Sequence, residues 1–271
     1  MNIINYTAEE YNFNKAMQHN INENIQPLLI SHNFTKFSPN KYVRELDGLL
    51  QFINFNVGKE RVKAFAFYIP IFFPYDNLLS FGIEITGSSG ISLLQGKYFP
   101  TLYEREKHNK MIQWEDYNKV HLPNIEKLIY SIKEGILPEK DRIGSLADFI
   151  NVLECERPIF FGEEYDIRSR NGVDHRYIMA VYKCLTEEYG QGVIELKELK
   201  RLMEEDVSKG LQPSVINISI KEYLERFLNS IKSQEVYNSA GKEEFKKCFD
   251  TICNERRKKY KLLNSYLMTT R

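Results

Sequence analysis

Apolar residues recur at helical spacing through Tyr11, Phe13, Met17, Ile21, Ile25, Leu28 and Leu29, which predicts a helix from about Thr7 to Ser31. Thr7 with Glu10 three residues later forms a capping-box start. Pro27 lies inside the run, so a kink or a break into two pieces is expected there. The period then drops from 3.6 to 2. Lys41–Leu46 alternates, with Tyr42, Arg44 and Leu46 on one face and Val43 and Glu45 on the other. Asp47-Gly48 follows, a strong hairpin signal. Leu49–Val57 places Leu50, Phe52, Asn54 and Asn56 on one face and Leu49, Gln51, Ile53, Phe55 and Val57 on the other. Gly58-Lys59-Glu60 reads as a turn, Val62–Phe73 as a third strand with Pro70 at an edge or bulge, and Phe81–Thr86 as a fourth. Consecutive strands joined by short turns make an antiparallel meander, and a helix ahead of it makes the class α+β.

Beyond Thr86 the pattern is less regular. Gly87-Ser88-Ser89-Gly90 reads as a loop, Leu122–Glu134 as an amphipathic helix ended by Gly135, and Ser145–Leu153 as a short helix capped by Ser145. Pro158–Gly172 is a polar connector. Two domains are therefore expected, an α+β antiparallel-sheet domain over 1–155 and a mainly helical one over 156–271. In the second, helices are expected over Val173–Glu188, Lys197–Val207, Ser214–Ile231 and Gly241–Leu267, with a stop at Tyr189-Gly190-Gln191-Gly192. Val193–Leu196 and Gln234–Tyr237 read as short strands. That order is similar to a winged-helix module.

The helix ending in Pro27-Leu28-Leu29, the run RELDGLLQFINFNVG from Arg44 to Gly58 and the strand ending YIPIFFP at Pro74 together resemble a bacterial family catalogued only as a domain of unknown function, series four-three-zero-four. The resemblance covers roughly residues 15 to 140. It implies a bacterial origin and a helix with an antiparallel sheet and further helices. It carries over no activity, cofactor or catalytic residue.

Charge narrows the partners. Lys and Arg number 37 and Asp and Glu 37, so no global charge attracts nucleic acid or an anionic membrane. Residues 155–271 hold 21 Lys and Arg against 19 Asp and Glu. The helix that would enter a groove offers Asn217, Lys221, Glu222, Glu225 and Arg226, whose charges cancel. One basic block stands out, Arg256, Arg257, Lys258 and Lys259 with Lys261 nearby. It is a candidate for nucleic acid or an acidic partner; the ordinary alternative is a solvated helix C-terminus, where cations complement the dipole. The longest apolar stretch, Ala64–Phe73, is about half of the roughly twenty residues a spanning helix needs. No targeting segment is visible, so a cytoplasmic protein without a membrane partner is expected.

Candidate chemistry is sparse. Asp174 with the triplet Glu195-Leu196-Lys197 matches, in outline, an acid followed by E-x-K on a strand, the arrangement with which some nucleases hold Mg²⁺ and steady a water. Asp174 is equally an ordinary helix cap. The five histidines show no HxxxH or HxH spacing, and no phosphate-loop, dinucleotide or nucleophile-elbow motif occurs. Cys155, Cys184, Cys248 and Cys253 fit no zinc spacing and read as free thiols. Thirty-four Phe and Tyr make Tyr42, Phe52 and Tyr68 candidates to line an open aromatic sheet face; the alternative is that further helices cover it. The expectation is a bacterial protein-binding module of inhibitor, immunity or adaptor type, without cofactor or metal and not an enzyme. The alternatives are nucleic-acid binding through the helical part and a metal-dependent nuclease or hydrolase.

Overall fold

The computed structural model describes residues 13–58, 61–74, 79–86, 90–94, 129, 132–155, 170–208, 215–231 and 239–262. The chain is α+β, an antiparallel sheet with helices and a mainly helical C-terminal part. It divides into two compact units. The sheet unit takes the described residues up to Ile69, those from Leu79 to Val152, and Tyr260–Leu262; the helical unit takes 70–74 and the described residues from Leu153 to Lys259.

In the sheet unit, α1 (Phe13–Asn20) runs into a π-helical turn, Ile21–Ile25, and then into α2 (Gln26–Ser31). Ile21, Ile25 and Leu29, spaced by four, are fully buried. The run is divided at Pro27, as expected: the π turn separates α1 from α2, and the proline lies in the first turn of α2. A proline lacks an N–H and its ring crowds the carbonyl four residues back, and a wider π turn just ahead of it relieves both. The same device recurs at Ile132–Ile136, which leads into α3 (Leu137–Arg142) with Pro138 at its start. Both segments read Ile-x-Glu-x-Ile-x-Pro, and all four isoleucines are buried. The expected stop at Gly135 is therefore corrected: the helix continues through it to Arg142. The expected cap at Thr7 and most of the Leu122–Glu134 helix lie outside the described residues.

Asn33 ends the first helical run. Its left-handed backbone (φ 64°) lets the Phe34 N–H reach Leu29 O at 3.0 Å and its own N–H reach Ile30 O at 3.0 Å. Six strands follow in sequential order: β1 (Thr35–Ser38), β2 (Lys41–Leu46), β3 (Leu49–Gly58), β4 (Arg61–Pro70), β5 (Leu79–Thr86) and β6 (Gly90–Leu94). The pairs β1–β2, β2–β3, β4–β5 and β5–β6 are antiparallel. Asp47 and Gly48 both take positive φ, 43° and 77°, as a two-residue hairpin turn requires. β1 was not expected because four half-exposed residues show no alternation. β6 begins at Gly90, the last residue of the expected loop; residues 87–89 lie outside the described ones. Pro70 closes β4, so Ile71–Phe73 leave the strand. α4 (Leu146–Cys155) starts where Ser145 Oγ accepts the Asp148 N–H at 3.0 Å, the cap expected for it.

The helical unit holds α5 (Arg170–Leu185), α6 (Tyr189–Ser208), α7 (Val215–Ser230) and α8 (Ser239–Lys259). Val193, Leu196, Leu199 and Met203 recur every three or four residues and are buried, as helix packing demands. The helix expected over Val173–Glu188 does end, at Leu185, but the residues expected to stop it, Tyr189–Gly192, open α6, and the expected strand at Val193–Leu196 is corrected because it lies inside α6. Gly192 is there for contact. A Cβ at this position would sit 2.6 Å from Cys184 Sγ and 2.7 Å from Ala180 O and Cys184 N, so α5 and α6 approach closely only over a glycine. Phe227 and Phe245 stack at 4.7 Å between α7 and α8, and Phe72 and Phe73 lie 6.2 Å from Tyr177. Among the described residues no helix is long and apolar enough to cross a membrane.

Gly192→Ala is expected to lower stability by about 1–3 kcal/mol through overpacking. Cys184→Ala is expected not to rescue it, since backbone atoms make two of the three close contacts. Urea unfolding of the single and double variants checks this.

Candidate functional site

The densest buried polar centre lies in the sheet unit, and its two central residues come from one hairpin. Arg44 on β2 and Gln51 on β3 are direct cross-strand partners, and both are buried. Each nitrogen of the Arg44 guanidinium donates to a protein oxygen: Nε to Gln51 Oε1 at 2.9 Å, Nη1 to His32 O at 3.1 Å and Nη2 to Asp141 Oδ1 at 2.5 Å. Its plane lies over the Phe34 ring, 4.7 Å from the centroid. Gln51 Nε2 donates to Lys140 O at 2.9 Å and to Ile143 O at 2.6 Å. The last carbonyls of a helix have no partner within it. Gln51 therefore caps the C-terminus of α3, and Arg44 caps that of α2 at the residue that follows it. A cation is also the charge that a helix C-terminus favours. Lys140, fully buried, donates to Phe67 O and holds its ammonium 3.5 Å from the centre of the Tyr68 ring. Asp141 is half exposed, with His32 Nδ1 at 4.0 Å. The signal for this centre was present in the sequence, as polar Arg44 and Gln51 placed on the faces that also carry Tyr42, Leu46, Leu49 and Ile53.

The aromatic candidates do not form an open face. Tyr42, Phe52 and Tyr68 are all buried. Register puts Tyr42 opposite Ile53 and Phe52 opposite Val43, so Tyr42 and Phe52 lie on opposite faces. One face packs on the N-terminal helix: Tyr42 OH donates to Gln26 Oε1 at 3.4 Å, and Lys36 Nζ to the same oxygen at 2.9 Å. On the other face Phe52 meets Phe37 and Tyr260. Tyr68 lies between Lys140 and Phe149. Burial pushes the Tyr42 hydroxyl up from 10.0 to about 12.

The acid–ExK trio is not assembled. Glu195 and Lys197 share a face only on a strand, and on α6 residues two apart point to different sides. Glu195 Oε1 accepts Lys183 Nζ at 2.8 Å and Gln191 Nε2 at 3.1 Å, and Lys197 is exposed. Hydrogen bonding to Glu195 raises the Lys183 pKa, so this carboxylate is engaged in an ion pair. Asp174 is buried on α5, nine residues before Lys183 and so about 13 Å along the helix axis. Its neighbour His175, also buried, has Nε2 2.8 Å from Glu154 Oε1. Among the described residues no three His, Cys, Asp or Glu side chains form a metal-holding group.

The basic block is dispersed. Arg256 is buried, Arg257 Nη1 donates to Asn254 Oδ1 at 3.1 Å, and Lys258 and Lys259 are exposed. Successive residues turn by 100° around α8, which separates them. The winged-helix order loses its first strand to α6, while Gln234–Tyr237 lies outside the described residues. Cys184, Cys248 and Cys253 are free thiols, and burial pushes the pKa values of Cys184 and Cys248 up. The Cys155 side chain lies outside the described ones.

Comparison with family models, with curated proteins and with solved structures yields no match to this chain.

Gln51→Leu is expected to leave Lys140 O and Ile143 O without their donor and to cost on the order of 2–4 kcal/mol in urea unfolding. Tyr42 supplies a second test. The folded state keeps its phenolic proton to about pH 12, while the unfolded chain releases it near 10. Stability should therefore fall as pH rises through that window, and Tyr42→Phe should make the fall shallower in alkaline thermal melts.

Proposed function

We propose that the chain is a non-enzymatic bacterial protein-binding module. The observation that carries this reading is the pairing of surface cations with carboxylates in the helical unit. Arg201 donates to Glu198 and Glu205 along α6, with Lys200 and Glu204 at 3.8 Å beside them. Arg226 on α7 holds Glu255 on α8 through two bonds of 2.9 Å. A nucleic-acid surface needs cations left for phosphates, and binding scales with the number neutralised. Here these cations already have carboxylate partners, and the one basic block is split between interior and surface. Mixed, locally neutral charge with Ile194 exposed on the same helix is more akin to the polar rim of a protein interface. The candidate acid Glu195 is held by Lys183, which removes the main support for a hydrolase.

Affinity purification of the tagged chain from its native host, read by mass spectrometry and by ultraviolet absorbance ratio, is expected to give a stoichiometric protein and background nucleic acid. Nucleic acid that co-purifies with the wild type and is lost on charge reversal at Arg257, Lys258 and Lys259 would overturn the reading.

A further inference from the structure

Lys36 is a lysine held by neutral oxygens. It stands on β1 directly across from Tyr42 on β2, and its ammonium lies 5.8 Å from the centre of the Tyr42 ring. Nζ donates to Asn22 Oδ1 at 3.2 Å and to Gln26 Oε1 at 2.9 Å. Among the described residues no carboxylate pairs with it. Each of the two oxygens accepts a second bond: Asn22 Oδ1 from Gln18 Nε2 at 3.5 Å, and Gln26 Oε1 from the Tyr42 hydroxyl at 3.4 Å. An amide oxygen has two lone pairs, so both oxygens are fully used. This fixes which way the two amides face. What remains on them is donor only: the N–H pair of Asn22 Nδ2, the N–H pair of Gln26 Nε2 and the third N–H of Lys36 Nζ. Gln18 is committed elsewhere, since it and Asn40 exchange a reciprocal pair of amide bonds at 2.7 and 2.6 Å. Asn22, Gln26 and Lys36 are half-buried, so the group is neither sealed off nor fully hydrated.

We propose that Lys36, Asn22 and Gln26 form an oxyanion site, which takes the carboxylate or phosphate group of a small ligand. A positive charge beside uncommitted N–H donors, with no acceptor lone pair left on the two amides, is complementary to an oxygen anion. A cation finds no acceptor there and is repelled by the ammonium. The contrast with the other cations supports the assignment. Arg44, Lys183, Arg201 and Arg226 each hold a carboxylate of the chain itself. At Lys36 the helix presents amides where those sites present an acid, and the place of the anion is left for one from outside. The inference stands apart from the protein-binding reading, because it needs only a small ligand.

The test follows the side-chain N–H signals of Asn22 and Gln26 by two-dimensional proton–nitrogen NMR while sodium acetate, sodium phosphate or sodium chloride is added to the full chain at matched ionic strength. Acetate or phosphate is expected to shift these signals saturably, and chloride not to. The tighter of the two oxyanions assigns the group, acetate a carboxylate ligand and phosphate a phosphoryl one. In Lys36→Met the half-saturation concentration is expected to rise roughly tenfold or more, the loss of one hydrogen bond from a charged donor. Gln26→Glu keeps the oxygen that Lys36 and Tyr42 use and puts an acid of the chain's own in the ligand's place, so the Asn22 signals are expected to stop responding. Should Lys36→Met not fold, the near-isosteric Gln26→Glu decides by the same titration. Shifts that never saturate, shifts that chloride reproduces, or a folded Gln26→Glu that responds like the wild type overturn the proposal; Lys36 then only ties the helix to the sheet, with water on its remaining donors.

Discussion

The sheet unit depends on the way Arg44 is satisfied. A guanidinium taken out of water is tolerated only when its donors find acceptors, because an unmet buried charge costs several kcal/mol. Arg44 meets this need with acceptors from three places in the chain: Gln51 across the hairpin, the His32 carbonyl after α2, and Asp141 on α3. Gln51 in turn binds the Lys140 and Ile143 carbonyls. The helix ends need donors and the buried cation needs acceptors, so each requirement meets the other. The Asp47–Gly48 turn sets the register that brings the two side chains together, and the hairpin tip is fastened again where Asp47 O accepts the Leu146 N–H at 3.2 Å.

Burial on both faces follows for the centre of this sheet. Tyr42 and Val43 are consecutive, point to opposite sides, and are both buried; the same holds along Leu49–Ile53. Antiparallel sheets often leave one face to solvent, and alternation alone invites that reading. Here helix residues such as Gln26 pack on one face and Tyr260 on the other.

The helical unit uses different means. Its interior is largely aliphatic and aromatic, with Asp174, His175 and Arg256 also buried; the α5–α6 approach is set by the missing Cβ of Gly192, and Phe227 and Phe245 stack between α7 and α8. Several of its charges pair between helices as well as along them, as in Lys183 with Glu195 and Arg226 with Glu255. Exposed pairs of this sort add little to stability.

Local chemistry was enough for the elements with short-range causes. The Asp47-Gly48 turn, the alternation of β2 and β3, the Ser145 cap and the apolar stripes of the long helices were all legible in residues a few positions apart. The α+β class follows from that order. One local signal was misread because context reverses its meaning. Gly192 is a helix stop by propensity, yet it lies inside α6, since the close approach of α5 there rewards a residue with no side chain. Pro27 divides the first helical run as its chemistry predicts, and the π turn ahead of it keeps Ile21, Ile25 and Leu29 buried. Pairing over long distances lay beyond the sequence. Which face of the sheet Tyr42 or Phe52 occupies was written in the period of two. What covers each face, where Arg44 finds Asp141, and whether Glu195 meets a metal or Lys183 were decided only by tertiary packing, because desolvation and hydrogen-bond satisfaction act between residues that the chain order keeps apart.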